Sequence, residues 1–133
     1  MVFANTQMFG IDIGFPDVCK TPAPPAPFVP IPYPVFALGP MGVPPVPRLL
    51  IIGCPAHNLM TRIPLNNGDN AGVLLGMRFP GVMVTSRHTS GASTCLFGGQ
   101  PATRMLSPAS MNGGNANGVR LVPSQPRVLI LSP

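Results

Sequence analysis

Residues 47–73 read PRLLIIGCPAHNLMTRIPLNNGDNAGV, and residues 93–119 read STCLFGGQPATRMLSPASMNGGNANGV. Placing Pro55 on Pro101 brings Gly53 onto Gly99, Ala56 onto Ala102, Leu59 onto Met105, Asn66 onto Asn112, Gly68 onto Gly114, Gly72 onto Gly118 and Val73 onto Val119, with no gap. Residues 126–131, PRVLIL, repeat only the opening of the first copy, PRLLII at 47–52. A unit of short apolar strand, glycine turn, Pro-Ala and polar Asn/Gly loop therefore occurs twice, and its strand a third time. Self-similarity of this kind marks units that bury their apolar faces against one another.

The first copy opens on four apolar residues without alternation, 49–52, which predicts a strand covered on both faces or lying in an interface. After the Asn66-Asn67-Gly68-Asp69 turn, 73–75 and 82–85 read as further short strands, separated by a corner at Arg78-Phe79-Pro80-Gly81. No window combines a helical period with caps, so the pattern predicts an all-β fold of short strands and tight turns.

A chain of 133 residues is one domain by length, spanning 1–133. Fifteen glycines and twenty prolines are a quarter of it, a share often seen in disordered chains, yet 45% of residues are hydrophobic and only 8% charged. Disorder needs the opposite balance, so the chain is ordered, compact and rich in turns, or it is sticky and depends on a partner, and the two are compatible. The prolines concentrate in 16–47. Proline removes ladder donors and pushes its predecessor to extended geometry, which here excludes both helix and central strand. Phe28, Val29, Ile31, Tyr33, Val35 and Phe36 are too many large apolar groups for a solvated linker. The expectation is an extended proline-rich arm, 16–47, packed over the body.

The first residues, MVFANTQMFGIDIG, have neither a basic region nor an unbroken apolar run, and nothing approaches membrane-spanning length, which predicts synthesis in the cytoplasm. Three cysteines argue against a disulfide framework and leave thiols for packing or metal. The net charge of +5 comes from seven arginines and one lysine spread thinly, with one tyrosine and no tryptophan, so no nucleic-acid partner is expected.

The whole stock of carboxylates is Asp12, Asp17 and Asp69, a poor supply for catalysis, and the expectation is a protein that is not an enzyme. The residues that stand out are Cys19, Cys54, His57, His88 and Cys95. Cys54 and His57 form a CxxH pair on the turn that ends a strand; joint ligation requires Pro55 to turn the chain between them. The alternatives are a small buried apolar role for each cysteine and a hydrogen-bonded turn or surface role for each histidine.

FANTQM (3–8), FPDVCKTPAP (15–24), VPIPYP (29–34), GCPAHNLMTRIPLNNGDNAGV (53–73), GGQPATRM (98–105) and PSQPRVLIL (123–131) together resemble the PAAR-like proteins found beside contractile injection systems, of the type VI secretion or extracellular phage-tail-like kind. Pro101-Ala102-Thr103-Arg104 stands for the Pro-Ala-Ala-Arg motif, with threonine in third place, and Pro55-Ala56-His57-Asn58 is its first, degenerate copy.

The resemblance implies a small conical protein with an approximate three-fold axis, seated as the sharp tip on a trimeric β-helical spike. On that reading 49–52, 96–98 and 128–131 are equivalent strands, and Leu50, Ile52, Leu129 and Leu131 lie on the docking end. It implies one tip per trimer, effector cargo as a further partner, and transient contact with a target membrane on piercing. Assembly would be cytoplasmic, with the tip then carried outward. It also implies zinc. The family's three histidines and one cysteine cannot be matched by two histidines, so the expected set is Cys19, His57 and His88 with Cys54 as fourth ligand and Cys95 a weaker one. The alternatives are a secreted effector or toxin with its own activity, and a proline-rich adaptor whose arm between Pro22 and Pro45 is protease-sensitive.

Overall fold

The computed structural model describes residues 2–131. In chain order the strands are β1 (Val2–Phe3), β2 (Ile11–Ala23), β3 (Ala26–Leu38), β4 (Val46–Ile51), β5 (Cys54–Ala56), β6 (Arg62–Ile63), β7 (Asn66–Asn67), β8 (Ser86–His88), β9 (Ala92–Phe97), β10 (Gln100–Ala102), β11 (Pro108–Met111), β12 (Ala116–Val122) and β13 (Leu129–Ile130). Two short 3-10 turns, Gly39–Met41 and Asn112–Gly114, are the only helical pieces among the described residues. The fold is all-β.

Three two-stranded ribbons, β4 with β5, β9 with β10, and β13 with β1, form one end. Their registers match: Leu50 faces Pro55, Leu96 faces Pro101, and Leu129 faces Phe3. The first two ribbons turn at glycines with positive φ, Gly53 (74°) and Gly98-Gly99 (62° and 83°), a conformation that side chains with a Cβ disfavour. The third brings together the two ends of the chain. Two strands are shorter than the repeat suggests, because Gly98 belongs to its turn and only Leu129–Ile130 of 128–131 is paired.

Past the ribbons, three segments close into a ring. Ala4 bridges Arg104, Ala56 bridges Thr6, and Ala102 bridges Asn58. Each time the alanine of one segment meets the residue two beyond the alanine of the next. The backbone bonds follow the same cycle: Gln7 N–H donates to Pro55 O at 2.9 Å, Leu59 N–H to Pro101 O at 2.9 Å, and Met105 N–H to Phe3 O at 2.8 Å. This is a pseudo-three-fold arrangement. Ala4, Ala56 and Ala102, all fully buried, join Ile51, Ala92 and Ile130 in a single core cluster. Alanine suits a site where three backbones approach; a larger residue would overpack it.

Beyond the ring lies a seven-stranded sheet, ordered β6-β8-β11-β12-β2-β3-β7. A second core of Val35, Ala37, Ile63, Ala109, Met111 and Ala116 packs within it.

Here the expectation of an arm over 16–47 is corrected. That stretch supplies the second half of β2, all of β3 and the start of β4, and β2 with β3 is a long hairpin whose tip is Pro24-Pro25. The reason is the spacing of the prolines. Asp17, Cys19 and Thr21 pair with Tyr33, Ile31 and Val29, while Lys20 turns its N–H the other way, to Leu75 O at 2.9 Å. Odd residues of β2 therefore bond to odd residues of β3, and Pro30, Pro32 and Pro34 turn their missing donors away from the hairpin partner. Prolines at every second position cost the ladder nothing.

The short strands expected at 73–75 and 82–85 are absent; the neighbouring strand is β8. Their amides are consumed differently. Met83 N–H donates to Asp69 Oδ2 at 3.1 Å and Val84 N–H to Asn112 Oδ1 at 2.8 Å. Arg78 and Phe79 N–H share Asn115 Oδ1 at 3.0 and 3.2 Å. Side-chain acceptors take the amides at 78–79 and 83–84, while Leu74 and Met77 N–H donate to Lys20 O and Val18 O of β2 at 3.2 and 2.9 Å.

Candidate functional site

At the ribbon end, matched registers place Leu50, Leu96 and Leu129 in equivalent positions, and they are 59%, 57% and 43% exposed. The next residue in each ribbon is Ile51, Phe97 or Ile130, which turns inward onto the alanine cluster. This is the alternation of a strand with one face covered. Ile52 and Leu131 add to the exposed set at the same end. The three matched positions thus carry exposed leucines and no charged residue.

The polar interior holds two separate clusters. In the first, Arg120 and Asp12 are sealed from solvent, with Arg120 Nε donating to Asp12 Oδ1 at 2.5 Å and Nη1 to Ser124 Oγ at 2.9 Å. His88 lies beside them, its Nε2 3.7 Å from Asp12 Oδ2. Both ring nitrogens of His88 are engaged: Nδ1 donates to Ser107 O at 3.1 Å, which leaves Nε2 to accept from Asn5 Nδ2 at 3.2 Å. Burial pushes its pKa down, against the pull of Asp12. His57 is the middle residue of its ring segment, equivalent to Asn5 and Thr103, and is 2% exposed. Burial first, then the charge of Arg120 and the neighbouring His88, lowers its pKa to about 3.

The second cluster lies farther along β2. Asp17 and Cys19, two residues apart, share one face of the strand. Asp69 joins them from the loop after β7, and potential ligand atoms of the three lie within 4.8 Å of one another, all buried. Asn112 Nδ2 spans the carboxylates, donating at 2.6 Å to Asp17 Oδ2 and at 2.6 Å to Asp69 Oδ2. Asn115 Nδ2 donates to Asp17 Oδ1, which also accepts from Cys19 Sγ at 3.2 Å. Burial, the Asp17 hydrogen bond and the charges of Asp17 and Asp69 push the Cys19 thiol up to about 12. Among the described residues no Lys, Arg or His pairs with Asp17 or Asp69, since both ion pairs belong to Asp12.

Of the residues singled out as metal ligands, His57 and His88 are neighbours beside Arg120, whereas Cys19 and Cys54 lie elsewhere. Cys19 is seven residues beyond Asp12 on β2, roughly 15–20 Å at strand rise allowing for the bulge, whereas His88 touches Asp12. Cys54 pairs with Ile51 at the ribbon end, and Cys95 packs on the alanine cluster. The three histidines and one cysteine of the resembled family have no counterpart here. The group that could hold a metal is Asp17, Cys19 and Asp69, the only such group among the described residues. Asp69 is not legible as a ligand from the sequence, because its neighbours in the group lie about 50 residues away along the chain. The D-x-C spacing of Asp17 and Cys19 was the available signal.

Residues 10–118 match the family described as Toxin PAAR-like domain. No curated protein and no solved structure matches.

Proposed function

Because the chain belongs to the Toxin PAAR-like domain family, we propose that it is the structural tip of a contractile injection system, capping a trimeric β-helical spike and helping to carry effectors through a target membrane. The observation that carries this reading is the ring of three matched bridges beneath three matched leucines. A single chain with an internal three-fold can present one contact to each of three identical subunits, and it can do so only once per trimer. The ribbons also end in unpaired edges, as a β-helix does, so stacking one on the other satisfies both. Burying about 800 Å² on each side is enough for a specific complex.

The same reading has the tip act without catalysis and assemble in the cytoplasm before being carried outward. Its support is the disposition of the acids. Asp12 is bound to Arg120, and Asp17 and Asp69 to Asn112, all out of solvent contact. A structural zinc ion belongs to this reading too, since a body with two small cores gains stability from a metal clip.

The test is to mix the purified protein with its cognate spike and weigh the complex by native mass spectrometry. One tip per trimer is the expected mass. Three tips per trimer, or none at any concentration, would remove the proposal and leave the family assignment standing.

A further inference from the structure

A buried carboxyl group normally finds hydrogen bonds for both oxygens. Asp69 does not. It is fully enclosed, its Oδ2 accepts from Asn112 and Met83, and its Oδ1 has no partner. An oxygen of Asp17 and the Cys19 thiol lie with it in a group within 4.8 Å of one another, and the two asparagine amides that face the group present N–H groups, having given their oxygens to the backbone of 78, 79 and 84. Gly72 passes so close that any side chain there would collide with Cys19. Two acids and a thiol, one oxygen without a donor and no cation alongside: the site is short of positive charge.

We propose that Asp17, Cys19 and Asp69 hold one divalent transition-metal ion of zinc's class, which ties the loop at Asp69 to β2. A thiolate with two carboxylates suits zinc better than the hard cations, which take oxygen alone. On binding, the Cys19 S–H bond breaks, its electron pair goes to the metal and the proton leaves to solvent. Asn112 and Asn115 then act as outer partners, fixing the carboxylates by their Nδ2 bonds. The ligands come from two chain segments about 50 residues apart, and the ion would add to the three backbone bonds that join 18–20 to 74–77. The site is distinct from His57 and His88 and does not depend on spike docking.

The experiment uses the full chain exposed to zinc, desalted, and analysed for metal and for trypsin cleavage after the exposed Arg78. About one zinc per chain is expected, falling at least tenfold in Cys19→Ser and in Asp69→Asn, while His57→Thr keeps it. Chelator should speed cleavage after Arg78 in the wild type and have no effect in Asp69→Asn. Cobalt(II) in place of zinc should show a sulfur-to-metal charge-transfer band that Cys19→Ser loses. If Cys19→Ser does not fold, the Asp69→Asn result and the cobalt band of the wild type decide. A folded wild type that retains no zinc, metal retained in full by Asp69→Asn, or metal lost from His57→Thr instead would each overturn the proposal.

Discussion

Arg120 and Asp12 form an ion pair with neither side chain reaching solvent, the guanidinium Nε 2.5 Å and Nη2 3.4 Å from the two carboxylate oxygens. The pair joins β12 to β2 at the point where the sheet meets the ring. Removing one partner strands a charge in a site built for two. Asp12→Ala should therefore cost about 3–5 kcal/mol in urea denaturation, whereas replacing both at once, Asp12→Leu with Arg120→Met, should cost much less than the sum of the single changes. Additive losses would mean that the two residues act independently.

Acid should destabilise the protein through His57. Its folded pKa, about 3, lies below the unfolded value of 6.5, so the unfolded state binds the extra proton between them. The stabilisation is complete above pH 6.5 and is lost as pH falls toward 3, by at most about 1.4 kcal/mol per pH unit. His57→Thr copies the residue that the second repeat carries, Thr103. Comparing urea midpoints at neutral pH and near pH 4.5, the variant should lose about 2 kcal/mol less than the wild type. Parallel pH profiles would show that His57 is not the titrating group.

Docking should depend on the three matched leucines more than on any other exposed apolar residue. Leu96→Glu places an unpaired charge in the middle of the proposed contact and should weaken spike binding by at least about tenfold, with the melting temperature unchanged because the side chain is solvent-facing. A control on another face, Met60→Glu, should bind as the wild type does. Equal effects of the two changes, read by titration of spike against tip, would disconnect the leucine face from docking.

The third ribbon pairs Val2 with Ile130 and Phe3 with Leu129. A short glycine linker between the chain's ends would do there what Ile52-Gly53 and Gly98-Gly99 do in the other two. A permutant joined in this way and opened between Gly98 and Gly99 should melt within about 5 °C of the parent, because no paired strand is cut. Opening inside β2 should prevent folding.

The ribbons were legible because their residues repeat: Leu49, Leu50 and Ile51 recur in kind at 128–130 and, with Cys95, Leu96 and Phe97, in the second copy. The third Pro-Ala segment was harder to see. Phe3-Ala4-Asn5-Thr6 has lost the proline, and the chain's ends separate it from its strand; only the spacing of Ala4 to Met8, matching Ala56 to Met60, remains as a trace. The β2–β3 hairpin is hidden from a count of prolines, because it is their phase that decides which edge loses its donors. The acid cluster was half legible. Cys19 stood out by type and Asp17 stands at the right interval, but that Asp69, Asn112 and Asn115 meet them is a property of the tertiary fold.

That phase has a further effect on how copies of the chain can meet. A long hairpin whose outer edge is paired by β7 only at Phe36 and Ala37 would ordinarily invite a neighbour to add a strand, and with 45% apolar residues such growth would lead toward fibres. Pro30, Pro32 and Pro34 present carbonyls on that edge but no amide hydrogens. An incoming strand would find half of the ladder missing. The sheet can therefore be long and apolar and still end where it does, and self-association is directed away from the hairpin toward the ribbon end, where the leucines await a different surface.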